Sequence, residues 1–477
     1  MSMDNKSIIR RLEELDKISI ILDPDEAQRK SMTTTVMDYA NQFIEGLPTV
    51  RSFTQKQPKN IAITEEQHTL QQLMDIYQYN VAESGINAAS GGHLGYIPGG
   101  GIYASGLADY LAAITNPYAG VYFASPGAVA IENEVIHWLK DLFNFPASAT
   151  GNLTSGGSVS TLIAFTAARD RYGIKNGRVQ GSVIYMSEQV HHSTQKALRI
   201  IGLEDAIIRY VPLDEHHRMK TSALEEMIQK DISLRLYPFM VVATAGTTDT
   251  GAVDPLDAIA DIAHSYNLWF HVDGAYGGFF IMTSKSHLFK GIEKADSLIV
   301  DPHKSLFLPY GLGAVLIKDY EAVLHSNQYA ASYMQDAMSD DLLKNPSNVS
   351  PELTKHFRGL RMWLPLQLYG QAPFIACLEE KLLLTTYFRN RLLEIGFNVG
   401  PEPDLSVSYF WYPFEADSDT KNKQLMDAIH SDGDIFLSSS IIDHRFVIRM
   451  AILAFRTKRH TIDRAVCMIE RSLKAIQ

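Results

Sequence analysis

Cysteine is nearly absent from this chain: two residues in 477, Cys377 and Cys467. Two thiols with no CxxC spacing exclude a disulfide framework and point to a reduced, cytoplasmic setting. Long apolar runs are missing as well. No stretch reaches the roughly 18 residues needed to cross a bilayer. Met1 to Arg11 is polar, without the apolar centre of a secretion signal, and Ile18 to Leu22 is too short to supply one. The chain therefore reads as soluble and intracellular, with no membrane partner. Basic blocks are also lacking, and the formal net charge is −11, so nothing stands ready to neutralise nucleic-acid phosphates. No repeats or low-complexity tracts occur. What remains is an ordinary globular composition, 46% hydrophobic and 20% charged, in a chain long enough for two or three structural units with ample core.

The most informative stretch runs from His271 to Lys304. Leu268-Trp269-Phe270-His271-Val272 is almost continuously apolar, as suits a strand buried on both faces of a parallel sheet. Asp273 stands where that strand ends, followed by glycines that permit close backbone approach. Ser297 to Val300 reads as a neighbouring strand and delivers Asp301-Pro302-His303-Lys304 at its C-terminal end. An acid at one strand end and a lysine at the next lie on the edge where open α/β sheets bind ligands. A lysine amine can condense with the carbonyl of pyridoxal phosphate (PLP), and PLP withdraws electrons only while its ring nitrogen is protonated. A carboxylate facing that nitrogen keeps the proton there by charge pairing. Asp273 and Lys304 alone are equally compatible with a structural ion pair.

His271-Val272-Asp273 followed by Ala275-Tyr276, and then Pro302-His303-Lys304, resembles the signature of the group II PLP-dependent amino-acid decarboxylases. That family includes the aromatic amino-acid, glutamate and cysteine-sulfinate enzymes. The resemblance spans roughly residues 75 to 470. It implies an α/β chain of the PLP-dependent transferase type (fold type I), with a mostly parallel seven-stranded sheet in a large domain and a small C-terminal α+β domain. The expected divisions are an N-terminal helical segment over 1–85, a large domain over 86–375 and a small domain over 376–477. The resemblance further implies PLP as cofactor, a small amino-acid substrate and a homodimer. No metal is called for.

Taken in order, Asp23-Pro24 suits a helix cap and first turn. Val36, Ala40, Phe43 and Leu47 then form a helical stripe. The stripe either packs on its own domain or, as the resemblance implies, across a dimer interface. The glycine-rich stretch 91–101 lacks Walker or dinucleotide spacing. The resemblance assigns Tyr96, Ile97 and Pro98 to the substrate pocket, and Gly120 with them. The aromatic enzymes carry bulkier residues at the positions matching Ile97 and Gly120. The segment Gly151 to Ser158 reads as a turn feeding a helix from Val159 to Arg169. Such a start aims free N–H groups and positive potential at one point. A capped helix start reads the same way, and Lys304 downstream favours Gly157 and Ser158 as the phosphate end of the cofactor site.

Further on, the resemblance stacks His191 on the cofactor ring, with Ala275 on the opposite face, and sets Thr248 near the cofactor and this histidine, although a threonine there equally suits a turn. An imidazole with an unperturbed pKa of about 6.5 is also a proton carrier. His303 joins the phosphate end. The polar segment from Asn327 to Ser350 corresponds to a loop that, in the family, carries a proton-donating tyrosine. Aligned on His356-Phe357-Arg358, that position falls near Pro346, and Tyr329 and Tyr333 stand out of register. Tyr333 is the candidate donor, with water or His191 as alternatives. Arg449, charged within an apolar run, binds either a protein carboxylate or, as the resemblance implies, the substrate carboxylate. The expected reaction is decarboxylation of an L-amino acid. The alternatives are another PLP reaction (aldehyde formation, transamination or carbon–carbon cleavage) and a non-catalytic PLP-binding protein.

Overall fold

A computed structural model describes residues 4–327 and 345–477, which divide into two compact units, Met1–Asn87 and Ala88–Gln477. The first unit contains the helices Asn5–Ser19, Glu26–Gly46 and Leu70–Tyr77, and a small antiparallel pair of β1 (Phe53–Thr54) with β2 (Gly85–Ile86). The cap of the second helix is Asp25, two residues beyond the expected Asp23. Asp25 Oδ1 accepts from the Gln28 N–H at 2.8 Å while Gln28 Oε1 accepts from the Asp25 N–H at 2.9 Å. Asp23 precedes a proline, which disfavours the helical conformation there, and Asp25 alone has the reciprocal Gln at the third helical position. The first helix was not expected from its polar sequence. It is exposed along its whole length, including Ile8, Leu12, Leu15 and Ile18.

The second unit is built on a seven-stranded sheet: β3 (Thr150–Thr154), β4 (Ser182–Met186), β5 (Ile207–Tyr210), β6 (Tyr237–Thr244), β7 (Trp269–Asp273), β8 (Ser297–Val300) and β9 (Gly313–Ile317). Their spatial order is β3-β9-β8-β7-β6-β4-β5. Strands β8-β7-β6-β4-β5 run parallel, and β9 is antiparallel to both its neighbours. This is the mostly parallel sheet anticipated from sequence. The inner strands β4 and β8 are buried at every position and read as nearly unbroken apolar runs because both faces are covered. Successive residues feed opposite cores: Val241, Phe270 and Leu298 pack on one side, Met240, Trp269 and Ile299 on the other.

Two local features have clear causes. Residues 214–220 form a turn, because Asp214 Oδ1 accepts the N–H groups of His216 and Arg218, each at 2.9 Å. The helix begins only at Thr221. Residues 150–154 pair with β9 as an edge strand, so the turn ahead of the helix Gly157–Arg171 is only two residues long. After the helices Gly359–Tyr369 and Ala372–Glu394, an antiparallel sheet follows. It comprises β10 (Asn398–Val399), β11 (Val407–Trp411), β12 (Ser438–Ile442) and β13 (Arg445–Ala451), with the helix Arg459–Ile476 behind it. Cys377 and Cys467 are both free. Among the described residues no helix is long and apolar enough to cross a membrane.

Two interior histidines make this fold sensitive to acid. His93 is 2% exposed, and neither ring nitrogen has a hydrogen-bond partner among the described residues. Burial pushes its pKa down to about 4. His271 on β7 is pushed to about 3, again by burial, while its Nδ1 meets Ser297 Oγ at 2.8 Å. Below the unfolded value of about 6.5 the unfolded chain binds protons that the native state refuses. Stability present above that pH is therefore lost as pH falls toward 4, by up to about 1.4 kcal/mol per pH unit for each histidine. Asp254, raised to about 6 by burial, works in the opposite sense over the lower part of the window. The substitution His93→Leu should flatten the pH dependence of the denaturation midpoint between pH 6.5 and 4 by one histidine's share. An unchanged slope would show that His93 is not kept neutral by the fold.

Candidate active site

The C-terminal ends of β6, β7 and β8 and the start of the helix Gly157–Arg171 converge on a cavity of about 440 Å³, lined by residues between Ser155 and Lys304. A cavity at the carboxyl edge of parallel strands is the expected ligand position in an open α/β sheet.

Asp273 closes β7 with its side chain buried in the cavity wall, and its Oδ1 accepts the Ala275 N–H at 3.0 Å. Burial raises its pKa; the positive charge of Lys304 and the Ala275 N–H pull the other way. Lys304 lies one strand over, on the short helix Pro302–Ser305 that follows β8. Its Nζ sits 3.0 Å from Asp301 Oδ2. Burial alone would depress this amine, but the attraction of Asp301 and Asp273 outweighs it and the pKa stands above the ordinary lysine value. The two strand ends are tied by backbone hydrogen bonds from Gly274 N to Ile299 O (2.9 Å) and from Asp301 N to Ala275 O (3.1 Å).

His191 follows β4 and faces the same space. Its pKa is lowered to about 4, first by burial and then by the charges of His192 and Lys304. The Ser193 backbone N–H donates to His191 Nδ1 at 3.3 Å, and Ser193 Oγ lies 2.8 Å from that nitrogen. Nδ1 is thus an acceptor, which leaves the proton of the neutral ring on Nε2. His192 is exposed, its ring 4.0 Å from that of His191. His303 Nδ1 donates to the Leu312 carbonyl at 2.5 Å, and its Nε2 lies 3.8 Å from Asp301 Oδ2.

At the opposite end, Gly156 carries a φ of 153° and begins the helix Gly157–Arg171. The first amides of a helix have no intrahelical acceptor, so those of Gly157 and Ser158 are available beside the Ser158 hydroxyl. Gly157 is constrained from behind, where a Cβ would lie 3.0 Å from Asp301 Oδ2 and 3.5 Å from Ala275 Cβ. Gly246, at φ 106°, lets the wall pass Tyr276, which an added Cβ would meet at 2.9 Å.

Gly157, Ser158, His191, Thr248, Asp273, Ala275, His303 and Lys304 all line this one cavity. Tyr96, Ile97, Pro98, Gly120 and Arg449 do not. Ile97 belongs to the large core, whereas Tyr96 is 59% exposed with a φ of 51°. Gly120 backs onto Leu353, whose carbonyl oxygen would stand 2.2 Å from an added Cβ. Arg449, 2% exposed, spends its donors on protein: Nε on Thr248 O (2.7 Å), Nη1 on Ser438 Oγ (3.0 Å) and Nη2 on Tyr96 O (3.0 Å). The nearest carboxylate is Asp249 at 3.9 Å. Tyr329 and Tyr333 lie outside the described residues.

The wall residues that escaped the sequence reading include Asp301, Ser193, Gln189 and Thr244, whose Oγ1 is buried without a hydrogen-bond partner among the described residues. The signal for Asp301 was present, since it directly follows one strand and Asp273 closes the next. The donor set fits PLP. It offers an anion on one side, an amine on the other, and a helix start with two free amides and a hydroxyl where a phosphate would sit.

Comparison with known proteins agrees. Residues 54–412 match the family described as the pyridoxal-dependent decarboxylase conserved domain. An aromatic-L-amino-acid decarboxylase of Bacillus atrophaeus is 35% identical over 372 residues, covering 76% of this chain and 77% of that protein. Phenylacetaldehyde synthase of Arabidopsis thaliana is 25% identical over 469 residues, 94% and 96% of the two chains. Among solved structures, the Oryza sativa TDC with PLP and tryptamine superposes with a TM-score of 0.88 at 22% identity, covering 95% of this chain and 99% of that one.

Proposed function

This chain belongs to the pyridoxal-dependent decarboxylases, carboxy-lyases that release CO2 from an amino acid, and we propose that the cavity at the ends of β6, β7 and β8 is its active site. The observation that carries this reading is the meeting of Lys304, Asp273 and the amides of Gly157 and Ser158 on one cavity.

When bound, pyridoxal phosphate supplies a protonated ring that accepts the electron pair left by departing CO2. Lys304 offers the amine that holds the cofactor's carbonyl carbon. Asp273 holds a proton on the facing ring nitrogen by its charge, an electrostatic contribution in place before reaction begins. The Gly157 and Ser158 amides, the Ser158 hydroxyl and His303 would hold the phosphate. His191 and Ala275 would confine the ring, and Thr248 lines the same wall. The proton delivered to the substrate carbon comes from Tyr333, from water or from His191 Nε2, which the Ser193 contacts keep protonated.

Tyr96, Ile97, Pro98, Gly120 and Arg449 are proposed to shape the substrate side. Arg449 would reach a substrate carboxylate only after exchanging one of its backbone carbonyls for it. We also propose a homodimer with residues 1–85 at its interface, followed by domains over 86–375 and 376–477, in the cytoplasm. The exposed apolar residues of Asn5–Ser19 and the scarcity of cysteine support this assignment.

The test is product analysis across the standard amino acids and cysteine sulfinate. CO2 and amine in equal amounts are expected from at least one substrate. Aldehyde instead of amine would favour the second reading, the aldehyde-forming reaction, which the similarity to a phenylacetaldehyde synthase keeps in view.

A further inference from the structure

Asp301 has an arrangement that the assigned roles do not use. Its carboxylate is 2% exposed, with Oδ2 3.0 Å from Lys304 Nζ and Oδ1 buried without a hydrogen-bond partner among the described residues. Its backbone N–H donates to Ala275 O at 3.1 Å. The carboxylate occupies space that only glycine leaves open: a Cβ on Gly313 would lie 2.7 Å from Oδ1, and one on Gly157 would lie 3.0 Å from Oδ2. Lys304 stands three residues on, across the single turn Pro302–Ser305, so the pair needs no loop movement to form.

Asp273, the other anion near Lys304, is already engaged with the Ala275 N–H and is proposed to face the ring nitrogen. His191, His303 and Tyr310 complete the titratable groups around the amine, and none of them is an anion at neutral pH. A buried ammonium without a counter-ion is costly, and within this wall Asp301 is the carboxylate in direct contact with it.

We propose that Asp301 is a positioning residue that receives the Lys304 amine whenever it is not covalently engaged, holding it as an ammonium inside the cavity. This rests on the reading that Lys304 carries the cofactor. Two consequences follow. During turnover, the displaced amine takes up the proton that the incoming substrate ammonium gives up, is kept at a fixed place and, as an ammonium, has no lone pair with which to compete for the reacting carbon. During loading, the ammonium must first give its proton to solvent before the nitrogen can bond to a carbonyl carbon, so the same contact slows cofactor capture at neutral pH.

The experiment follows capture of pyridoxal phosphate by absorbance, using the full-length chain freed of cofactor, as a function of pH. In the Asp301→Asn variant the midpoint of the capture-rate profile should move to lower pH, with capture at pH 7 faster by roughly tenfold for each unit of displacement. A midpoint that stays where it is in the unaltered protein overturns the proposal. Should the variant fail to fold, trace acetylation of the unaltered, cofactor-free chain decides the matter, read at the Lys304 peptide by mass spectrometry. A labelling midpoint above the ordinary lysine value of about 10.4 is expected, and one below it removes the ion pair from consideration. Borohydride reduction of the holoenzyme separates this from the underlying reading. Cofactor fixed on Lys304 with an unmoved midpoint sinks only the role of Asp301, whereas cofactor fixed elsewhere sinks both.

Discussion

Exchange of Lys304 for alanine abolishes amine formation, lowering kcat by at least about 10³-fold, or roughly 4 kcal/mol of barrier. The loss has two sources. The amine that would hold the cofactor's carbonyl carbon is gone, and the burial of Asp273 and Asp301 is no longer offset by a cation. Steady-state amine release and borohydride fixation, measured together, check the assignment. The variant should show neither turnover nor a modified peptide at this position. Lys304→Arg isolates the chemistry from the charge, since it keeps a positive group between the carboxylates but cannot condense with a carbonyl under these conditions. Both variants should be inactive. Sustained turnover by either would reduce Lys304 to an electrostatic accessory.

The second large effect is expected at Asp273. Asn at this position retains the shape and can still accept the Ala275 N–H at Oδ1, but the negative charge is lost. A preorganised charge removed from a water-poor site costs about 10²- to 10³-fold in kcat. The neutral amide cannot hold a proton on the ring nitrogen by charge, so the penalty should fall on the chemical step. Cofactor content, read from absorbance, should stay close to that of the unaltered protein. A kcat within threefold of the starting enzyme would mean that the charge at Asp273 is not used.

Much of this is legible in the sequence, for physical reasons. Strands buried on both faces leave continuous apolar runs, which is why the run Ser297 to Val300 coincides with a strand to the residue. Chemistry that needs an acid and an amine at adjacent strand ends marks Asp273 and Lys304 together. Other features depend on partners distant in sequence. The edge strand Thr150–Thr154 exists because β9 pairs with it, and a glycine-rich stretch gives no hint of that pairing. The use of Asp301, toward Lys304, emerges only from the turn that brings the two together. Arg449 was legible as buried and charged, but its acceptors, two backbone carbonyls and a hydroxyl, carry no side-chain signature.

That arginine has a mechanical meaning. One guanidinium grips the glycine-rich stretch through Tyr96, the cavity rim through Thr248 and the C-terminal sheet through Ser438, so three remote portions of chain are riveted at a single head group. Displacement of the C-terminal sheet would be transmitted to the cavity rim at Thr248, so the wall at the end of the large sheet is tied to an arginine 145 positions downstream of Lys304.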